Sequence, residues 1–306
     1  RGPFDLIDAH FGYPEGVGCV RASLALGIPA FITMRGLERQ ILPLRRRGGQ
    51  LRWALQRCAG IVCVSDSLKT LAIEQGVPAD KIEVVPNAVD RETFRPGDRG
   101  EARRELGIGR DDRLVVCVGM LVAGKGQHHL VHALAALRSE DPRWKLALVG
   151  GGAHEPAYPA FLRAEIEALG LEGSVVFTGP QPPERVAVWL RAADVFALPT
   201  YDEGCCNAVL EAMACGVPVV TTPAGDNAKL VDPPRRGYIV PIGRSDVFRE
   251  ALEAAVRRPW DRRAIAEYGA GYSWAETARR TLRFFEARLE CVGRRSYASR
   301  TALSPT

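Results

Sequence analysis

From about residue 110 onward, short apolar runs rich in β-branched residues alternate with segments whose apolar residues recur at the period of a helix. This alternation constrains the fold most, because a strand, a helix and a parallel strand form the repeating unit of a sheet covered on both faces. The strand candidates are 114–118, 145–149, 175–177, 195–199 and 218–221, and the helix candidates are 127–138, 160–169, 184–193 and 207–215. A ligand of such a sheet binds beyond the carboxyl ends of the strands.

The first part of the chain repeats this arrangement more briefly, with strands predicted at 6–10, 29–34, 60–65 and 81–86. The stretch 87–98 carries turn residues without periodicity and is expected to hold the interdomain hinge. We therefore predict an α/β protein with two Rossmann-like doubly wound domains, at 1–95 and 96–273. An amphipathic helix at 274–290 and a tail at 291–306 follow. Because a strand begins almost at Arg1, we expect the first domain to be incomplete.

Composition narrows the function classes. The chain has 306 residues, 46% of them hydrophobic and 25% charged, and a formal net charge of +5. The basic residues are scattered rather than massed on one arm, so nucleic acid is not expected as a partner. No run approaches the ~20 apolar residues of a membrane span, and no leader opens the chain, so a cytoplasmic protein is expected. The cysteines lack C-x-x-C spacing and are predicted to be buried thiols in a reducing compartment.

The most informative window, residues 201–218, follows a predicted strand and leads into a helix. Asn207 is predicted as the N-cap of this helix and Gly216 as its stop, so the N–H groups of residues 205–209 would form an anion site at the strand end. Glu203 and Glu211 are spaced to flank a ligand there, since a carboxylate accepts two hydrogen bonds from a vicinal diol. A sugar with a phosphate fits this site. The alternative interpretation is one exposed loop acid and one surface acid on a buried helix.

A second element, from Gly119 to Gly126, follows the first strand of this domain. Its glycines would let the backbone approach a ligand, and Lys125, held between two glycines, is a point charge suited to phosphate. Because Arg greatly outnumbers Lys in this chain, a Lys at this place suggests a role for an ammonium group. The alternative is a solvated lysine in a turn.

The pattern E-x7-E followed by A-M-A-C-G-V-P-V-V, which begins at Glu203, resembles the signature of retaining glycosyltransferase family 4, of the GT-B fold. The segments V-V-P-N-A-V-D at 84–90 and F-T-G at 177–179 extend the resemblance over about residues 6–285. It implies two domains facing a cleft, with Glu211 on the ribose hydroxyls, Glu203 beside the transferred sugar and Lys125 on the diphosphate. The donor-binding residues that it implies are Gly119, Gly124, Lys125, Gly204, Cys205, Cys206, Asn207, Ala208, Val209 and Glu211.

The chain departs from the family pattern within this domain. Met120 stands where an Arg of the family clamps the diphosphate, so Lys125 must act alone or Arg35 must supply the second charge. Lys229 stands where members often have an acid, which leaves the local recognition of the donor open.

Candidate residues in the amino-terminal domain end two predicted strands. Members of the family often have His-Gly-x-Asp after the second strand, with the His near the donor sugar, and Arg35 and Glu38 replace that pair here. His10, which ends the first strand, is the nearer imidazole by type, with a structural role as its alternative. The candidate catalytic residues are Glu203, Lys125, His10 and Arg35.

Two further clusters offer other interpretations. The histidines at 128, 129 and 132 share a helix, but no acid completes an H-E-x-x-H motif, so no metal site is predicted. Arg45, Arg46 and Arg47 would dock on an anionic membrane surface or form a solvated basic loop before a packed helix. The lipid acceptors common in the family favour the membrane, and hence a peripheral protein on its cytoplasmic face.

The resemblance implies a metal-independent hexosyltransferase of polysaccharide biosynthesis, with no cofactor and a nucleoside diphosphate sugar as co-substrate. It would move the sugar to a glycan or lipid-linked saccharide with retention at the anomeric carbon, the leaving diphosphate taking the acceptor proton. The protein would then act by positioning and by stabilising phosphate charge. The departures keep a second hypothesis open, a catalytically impaired nucleotide-sugar-binding remnant. A nucleotide-sugar epimerase of the same fold is a third.

Overall fold

The computed structural model of the protein describes the backbone of residues 4–301 and the side chains of residues 4–291. The chain forms two compact units. The first consists of the described residues up to Asn87 together with those from Trp274 onward, and the second of Ala88–Ser273.

The first unit is built on a four-stranded sheet in which every neighbouring pair of strands is parallel. Its strands follow one another across the sheet in chain order, and helices connect them. The strands are β1 (Ile7–His10), β2 (Ala30–Met34), β3 (Gly60–Cys63) and β4 (Ile82–Val84), and the helices are α1 (Val17–Leu26), α2 (Glu38–Ile41), α3 (Arg45–Arg57) and α4 (Asp66–Glu74).

The second unit contains a six-stranded parallel sheet. Its strands are β5 (Arg113–Val118), β6 (Trp144–Val149), β7 (Val175–Gly179), β8 (Val195–Leu198), β9 (Val219–Thr221) and β10 (Gly237–Ile239). Its helices are α5 (Arg99–Leu106), α6 (Gln127–Glu140), α7 (Ala157–Ala168), α8 (Pro183–Ala192), α9 (Asn207–Ala214), α10 (Asn227–Val231), α11 (Ser245–Arg257) and α12 (Arg262–Ala270). The interior of these strands is almost wholly buried and apolar.

The strand order of the second unit, β10-β9-β8-β5-β6-β7, places a topological switch point between β5 and β8. From β5 the chain moves outward through β6 to β7, and from β8 it moves outward in the other direction through β9 to β10. The connections from β5 and from β8 therefore run to opposite sides of the sheet, and open α/β sheets bind ligands in the crevice at such a point.

The predicted fold class, two Rossmann-like parallel sheets with helices between the strands, is confirmed, and each predicted strand overlaps an observed one. One strand was missed. β10 has only three residues, Gly237, Tyr238 and Ile239, and follows two arginines, so its apolar run is too short to reveal a strand by periodicity. It forms because Val219 and its neighbours in β9 offer an unpaired edge.

The observed boundary between the units lies earlier than the predicted one at 95/96. The backbone N–H of Val89 bonds the carbonyl of Tyr272, and Val89 and Phe94 are buried in the core of the second unit. The turn-like composition of 87–98 therefore does not make the whole stretch a linker, because its apolar residues are packed.

The carboxy-terminal helix, α13 (Trp274–Thr301), runs beyond the predicted end at 290, and the rest of the predicted tail lies outside the described residues. No proline stands between Trp274 and Thr301, so none interrupts the helix. The helix belongs to the first unit: the ring of Phe285 lies 4.4 Å from that of Phe31 in β2, and Arg288 donates to the carbonyl of Ala59.

Two other expectations from composition concern the cysteines and membrane spans. Cys58, Cys63, Cys117, Cys206 and Cys215 are buried, as predicted for small apolar side chains. Within residues 4–301, no helix is both long and apolar enough to cross a bilayer.

We predict that Phe285→Ala lowers the free energy of unfolding of the first unit by about 3–5 kcal/mol, because it opens a cavity against Phe31. Chemical denaturation followed by circular dichroism measures the change. Leu282→Ala on the same helix is the matched control, since Leu282 is 58% exposed and Phe285 only 6%. Equal effects of the two substitutions would show that α13 does not pack as described.

Candidate active site

Three loops meet at the carboxyl edge of the second sheet, and glycines allow them to approach. Gly126, in the left-handed conformation, lies so close to the loop after β8 that a Cβ atom would be 2.3 Å from the carbonyl oxygen of Pro199. The N–H of Tyr201 donates to the carbonyl of Gly124 at 2.9 Å. A Cβ on Gly225, in the loop after β9, would lie 2.7 Å from the carbonyl oxygen of Glu203. The backbone thus sets the positions of the side chains in these loops.

Lys125 and Glu203 form an ion pair across the switch point. Nζ of Lys125 lies 2.5 Å from Oε1 of Glu203, and both side chains are largely buried. The sequence prediction that the two residues share one site is thus matched by their geometry, and the alternative of two solvated loop residues is not.

Burial by itself lowers the pKa of Lys125, but the negative charge of Glu203 and weaker contributions raise it by more, so the net shift is upward. Lys125 is therefore an ammonium at neutral pH. Its charge is balanced by one carboxylate in a partly desolvated crevice, where an entering anion would interact more strongly than in water.

The amino end of α9 lies beside this pair. Cys206 has the extended backbone of an N-cap, and Asn207 is the first helical residue, so the prediction of Asn207 as the N-cap is wrong by one position. Gly216 takes the left-handed conformation directly after the helix, as predicted for its stop. Burial raises the pKa of the Cys206 thiol well above its ordinary value, so this side chain is neutral and apolar.

The first N–H groups of α9 belong to predicted donor-binding residues, Asn207, Ala208 and Val209. The helix dipole adds positive potential at this end of α9. With Gly204 and Cys205 in the preceding loop, these residues are placed at the same edge of the sheet as Lys125.

Glu211 lies one helical turn after Asn207, on the face of α9 that is not packed in the core. Its side chain is half-buried, and no donor among the described side chains lies within hydrogen-bonding distance of its carboxylate. Burial raises the pKa of Glu211 to about 7. It forms no ion pair with Lys125, so the structure brings Glu203, but not Glu211, into direct contact with the ammonium.

The glycines of the first loop have different roles. A Cβ on Gly119 or Gly124 would meet open space, whereas one on Gly126 would meet the carbonyl of Pro199. Gly150, in the loop after β6, packs against the carbonyl of Gly119. Met120, at the position of the family arginine, is exposed, and its carbonyl accepts a hydrogen bond from Gln127.

In the first unit, the two candidate catalytic residues His10 and Arg35 contact each other. Nε and Nη2 of Arg35 lie 3.1 and 2.8 Å from Nδ1 of His10, and Nη1 donates to Asn87. A guanidinium group only donates, so Nδ1 accepts and the proton of the neutral ring is on Nε2, 3.2 Å from Asp8.

Glu38 is buried and has a structural contact on each side. Its carboxylate accepts the N–H of Gly12 at 2.8 Å and that of Gly36 at 2.8 Å, so it joins the loops after β1 and β2. This explains why an acid stands here although the family's His-Gly-x-Asp motif is absent.

The three histidines of α6 have hydrogen-bonding partners on separate elements. Nδ1 of His128 bonds Tyr158, His129 lies 2.7 Å from the hydroxyls of both Ser245 and Tyr201, and His132 pairs with Glu165. They act as structural hydrogen-bonding groups.

Several residues of the site were not singled out from the sequence. Asp8 orients His10, and its signal was the two-residue spacing that puts both on one face of β1. Gln127 is fully buried and supports the loop of Met120, and Thr222 donates to the carbonyl of Thr200 at 2.6 Å. The spacing of these residues in sequence does not reveal such loop-to-loop bonds.

Family models match nearly the whole chain. The model described as Glycosyl transferases group 1 matches residues 98–271, and the model described as Glycosyltransferase Family 4 matches residues 1–93. A D-inositol 3-phosphate glycosyltransferase of Arthrobacter sp. is 30% identical over 95% of this chain and 72% of its own length. A protein of the same name from Frankia alni is 36% identical over 93% and 74%.

Solved structures of other proteins have a similar fold. Anabaena HepE in complex with UDP-glucose has a TM-score of 0.75 and 25% identity, covering 94% of this chain and 78% of its own. Sucrose-phosphate synthase from Thermosynechococcus elongatus has a TM-score of 0.82 and 21% identity, covering 94% and 74%, which shows the fold. With its two parallel sheets and the matched models, the chain belongs to the glycosyl transferases group 1 family and is a glycosyltransferase of the GT-B fold.

Proposed function

We propose that the protein transfers a sugar from a nucleoside diphosphate sugar to an acceptor hydroxyl, with retention at the anomeric carbon. The observation that carries this proposal is the pairing of Lys125 with Glu203 at the switch point of the second sheet, beside the amino end of α9. An ammonium and helix N–H groups suit a diphosphate, and carboxylates suit sugar hydroxyls.

In the proposed donor complex, the diphosphate contacts Lys125 and the first N–H groups of α9. The diphosphate then replaces Glu203 as the partner of the ammonium, which frees the Glu203 carboxylate to accept hydrogen bonds from the sugar. Once it is ionised, the Glu211 carboxylate accepts hydrogen bonds from the two ribose hydroxyls. Uridine is the first nucleoside to test, because the solved structure of HepE contains UDP-glucose.

In the proposed reaction, the bond between the anomeric carbon and the phosphate oxygen breaks and a bond to the acceptor oxygen forms on the same face. The acceptor proton passes to the leaving phosphate oxygen, so no protein base is needed. Lys125 and the helix N–H groups stabilise the negative charge that develops on the diphosphate. We retain metal-independent transfer without a cofactor as part of the proposal, and His10 and Arg35 as its catalytic candidates in the first unit.

For the acceptor, the names of the relatives support a phosphorylated inositol as the first candidate. A glycan or a lipid-linked saccharide of polysaccharide biosynthesis is the second candidate acceptor. The decisive experiment measures nucleoside diphosphate released from UDP-sugars with each acceptor and without any. Release that requires an acceptor supports a transferase. No release despite donor binding would support the binding remnant, and a changed sugar nucleotide without acceptor would support an epimerase.

We further propose that the protein works at the cytoplasmic face of a membrane through Arg45, Arg46 and Arg47. All three side chains are exposed at the first turn of α3, beside the exposed Leu44. Cations at the amino end of a helix oppose its dipole, which argues for a partner outside the helix. No described acid lies within ion-pair distance of them.

We expect Lys125→Ala to lower kcat/KM by at least about 100-fold, because it removes the cation that stabilises the leaving diphosphate. Steady-state kinetics of diphosphate release measure the effect. Lys145→Ala is the matched control, since the Lys145 ammonium is exposed and donates to the carbonyl of Gly173. A folded Lys125→Ala variant with near-normal turnover would refute the assignment.

Donor binding should depend on the ionisation of Glu211. The raised pKa means that folding favours the protonated form, so this contribution to stability is full below the ordinary pKa of 4.5 and is lost as the pH rises through about 7. Binding a diol favours the ionised form instead. We therefore expect UDP-sugar affinity to rise about tenfold between pH 6 and pH 8 in calorimetry. Glu211→Gln should bind more weakly at pH 8 and lose this dependence; wild-type affinity in that variant would count against the role.

Replacing Arg45, Arg46 and Arg47 with Gln should lower partitioning onto vesicles containing phosphatidylserine about 100-fold, because each cation near such a surface contributes about 1 kcal/mol. Cosedimentation measures the partitioning. The control replaces the exposed Arg235, Arg244 and Arg257 of the second unit. If both triple variants bind alike, the membrane proposal fails.

A further inference from the structure

An arginine-lined cavity lies at the amino edge of the sheet of the second unit. Its volume is about 320 Å³, and its lining includes Arg99, Arg191, Arg262 and Arg263 together with Cys215 and Gly216. Gly216 precedes β9, and Arg262 bonds the carbonyls of residues that precede β8, so the cavity is at the opposite edge from Lys125.

The backbone holds two of these guanidinium groups in place. Arg262 donates from Nη2 to the carbonyls of Ala193 and Asp194, at 3.0 Å each. Arg191 donates to the carbonyls of Arg95 and Thr93, at 3.0 and 2.8 Å. These bonds fix the groups without neutralising their charge, because a carbonyl carries no formal charge.

The glycines of the wall fit closely against the same arginines. A Cβ on Gly97 would lie 2.8 Å from Cδ of Arg191, and one on Gly216 would lie 2.7 Å from the carbonyl oxygen of Arg262. The cavity wall is therefore closely packed at these two glycines.

The carboxylates near the cavity balance only part of its charge, since Arg99 pairs with Asp194 and Arg263 with Glu267. Asp194 is shared by Arg99, Arg103 and the N–H of Leu114. Among residues 4–291, no carboxylate lies within ion-pair distance of Arg191 or Arg262.

Two further observations indicate unused binding capacity. Nε of Arg99 is buried and has no hydrogen-bond acceptor. Burial, reinforced by the charge of Arg99, lowers the pKa of Arg262 to about 10, although Asp194 opposes the shift. Leaving buried donors and like charges uncompensated costs stability, and an anion with several oxygens would relieve both effects.

We propose that this cavity binds a small phosphorylated metabolite as a second anion site, separate from the donor site. Planar guanidinium groups match phosphate oxygens in pairs, and the volume suits a compact phosphorylated molecule. The proposal does not depend on the proposed transfer reaction, because none of the four cavity arginines has a hydrogen bond or ion pair with Lys125, Glu203 or Glu211.

Inorganic pyrophosphate is the probe, and titration calorimetry of the whole chain at low salt is the measurement. The Lys125→Ala variant serves as the background, because pyrophosphate also suits the donor site. We expect this variant to bind one pyrophosphate, and the addition of Arg99→Gln and Arg263→Gln to weaken binding at least about tenfold.

Arg185→Gln in the same background is the matched control, since Arg185 pairs with Glu105 outside the cavity. Arg263→Gln is also tested alone, so that weaker binding cannot be due to unfolding. This side chain is 89% exposed, and its loss leaves the core intact. No binding by the Lys125→Ala background, or equal binding by the Arg263→Gln and Arg185→Gln variants, would overturn the proposal. Failure of transferase activity in the wild type would leave this outcome unchanged.

Discussion

The close approach of two loops at the switch point determines how the candidate site is built. Because β5 and β8 are neighbouring strands, the loops that follow them meet, and Gly126 passes closely against Pro199. A side chain at Gly126 would push these loops apart. Lys125 stands directly before that contact and Glu203 a few residues after it, so the ion pair is a consequence of the backbone path.

The electrostatics of the site suit an anionic sugar donor. Lys125 and Glu203 neutralise each other, whereas Glu211 is half-buried and its pKa is raised to about 7 by that burial. Burial thus disfavours a second carboxylate charge in the crevice, and a ligand that offers both hydroxyls and phosphate would supply a partner for each group. This arrangement supports the proposed mechanism, in which the protein positions the reactants and stabilises charge.

The two edges of the second sheet carry their charges differently. At the carboxyl edge, Lys125 has a carboxylate partner and open space beside it. At the amino edge, Arg191 and Arg262 are held by carbonyls, while Asp194 is shared among neighbouring groups. Parallel strands place all their ends at the same two edges, so residues far apart in sequence collect at each of them.

The sequence by itself determined the fold class, most of the strands and the choice of Lys125 and Glu203 as candidates for one site, because periodicity and the spacing of motif residues are local properties. That the two side chains form an ion pair was decided by the tertiary structure. Only the tertiary structure decided the strand order, the packing of α13 on Phe31, and the burial of Phe94 in the core of the second unit. It also decided that Asp194 serves three donors. Such contacts join residues separated by many positions, and no short pattern in the chain encodes which edges and surfaces will meet.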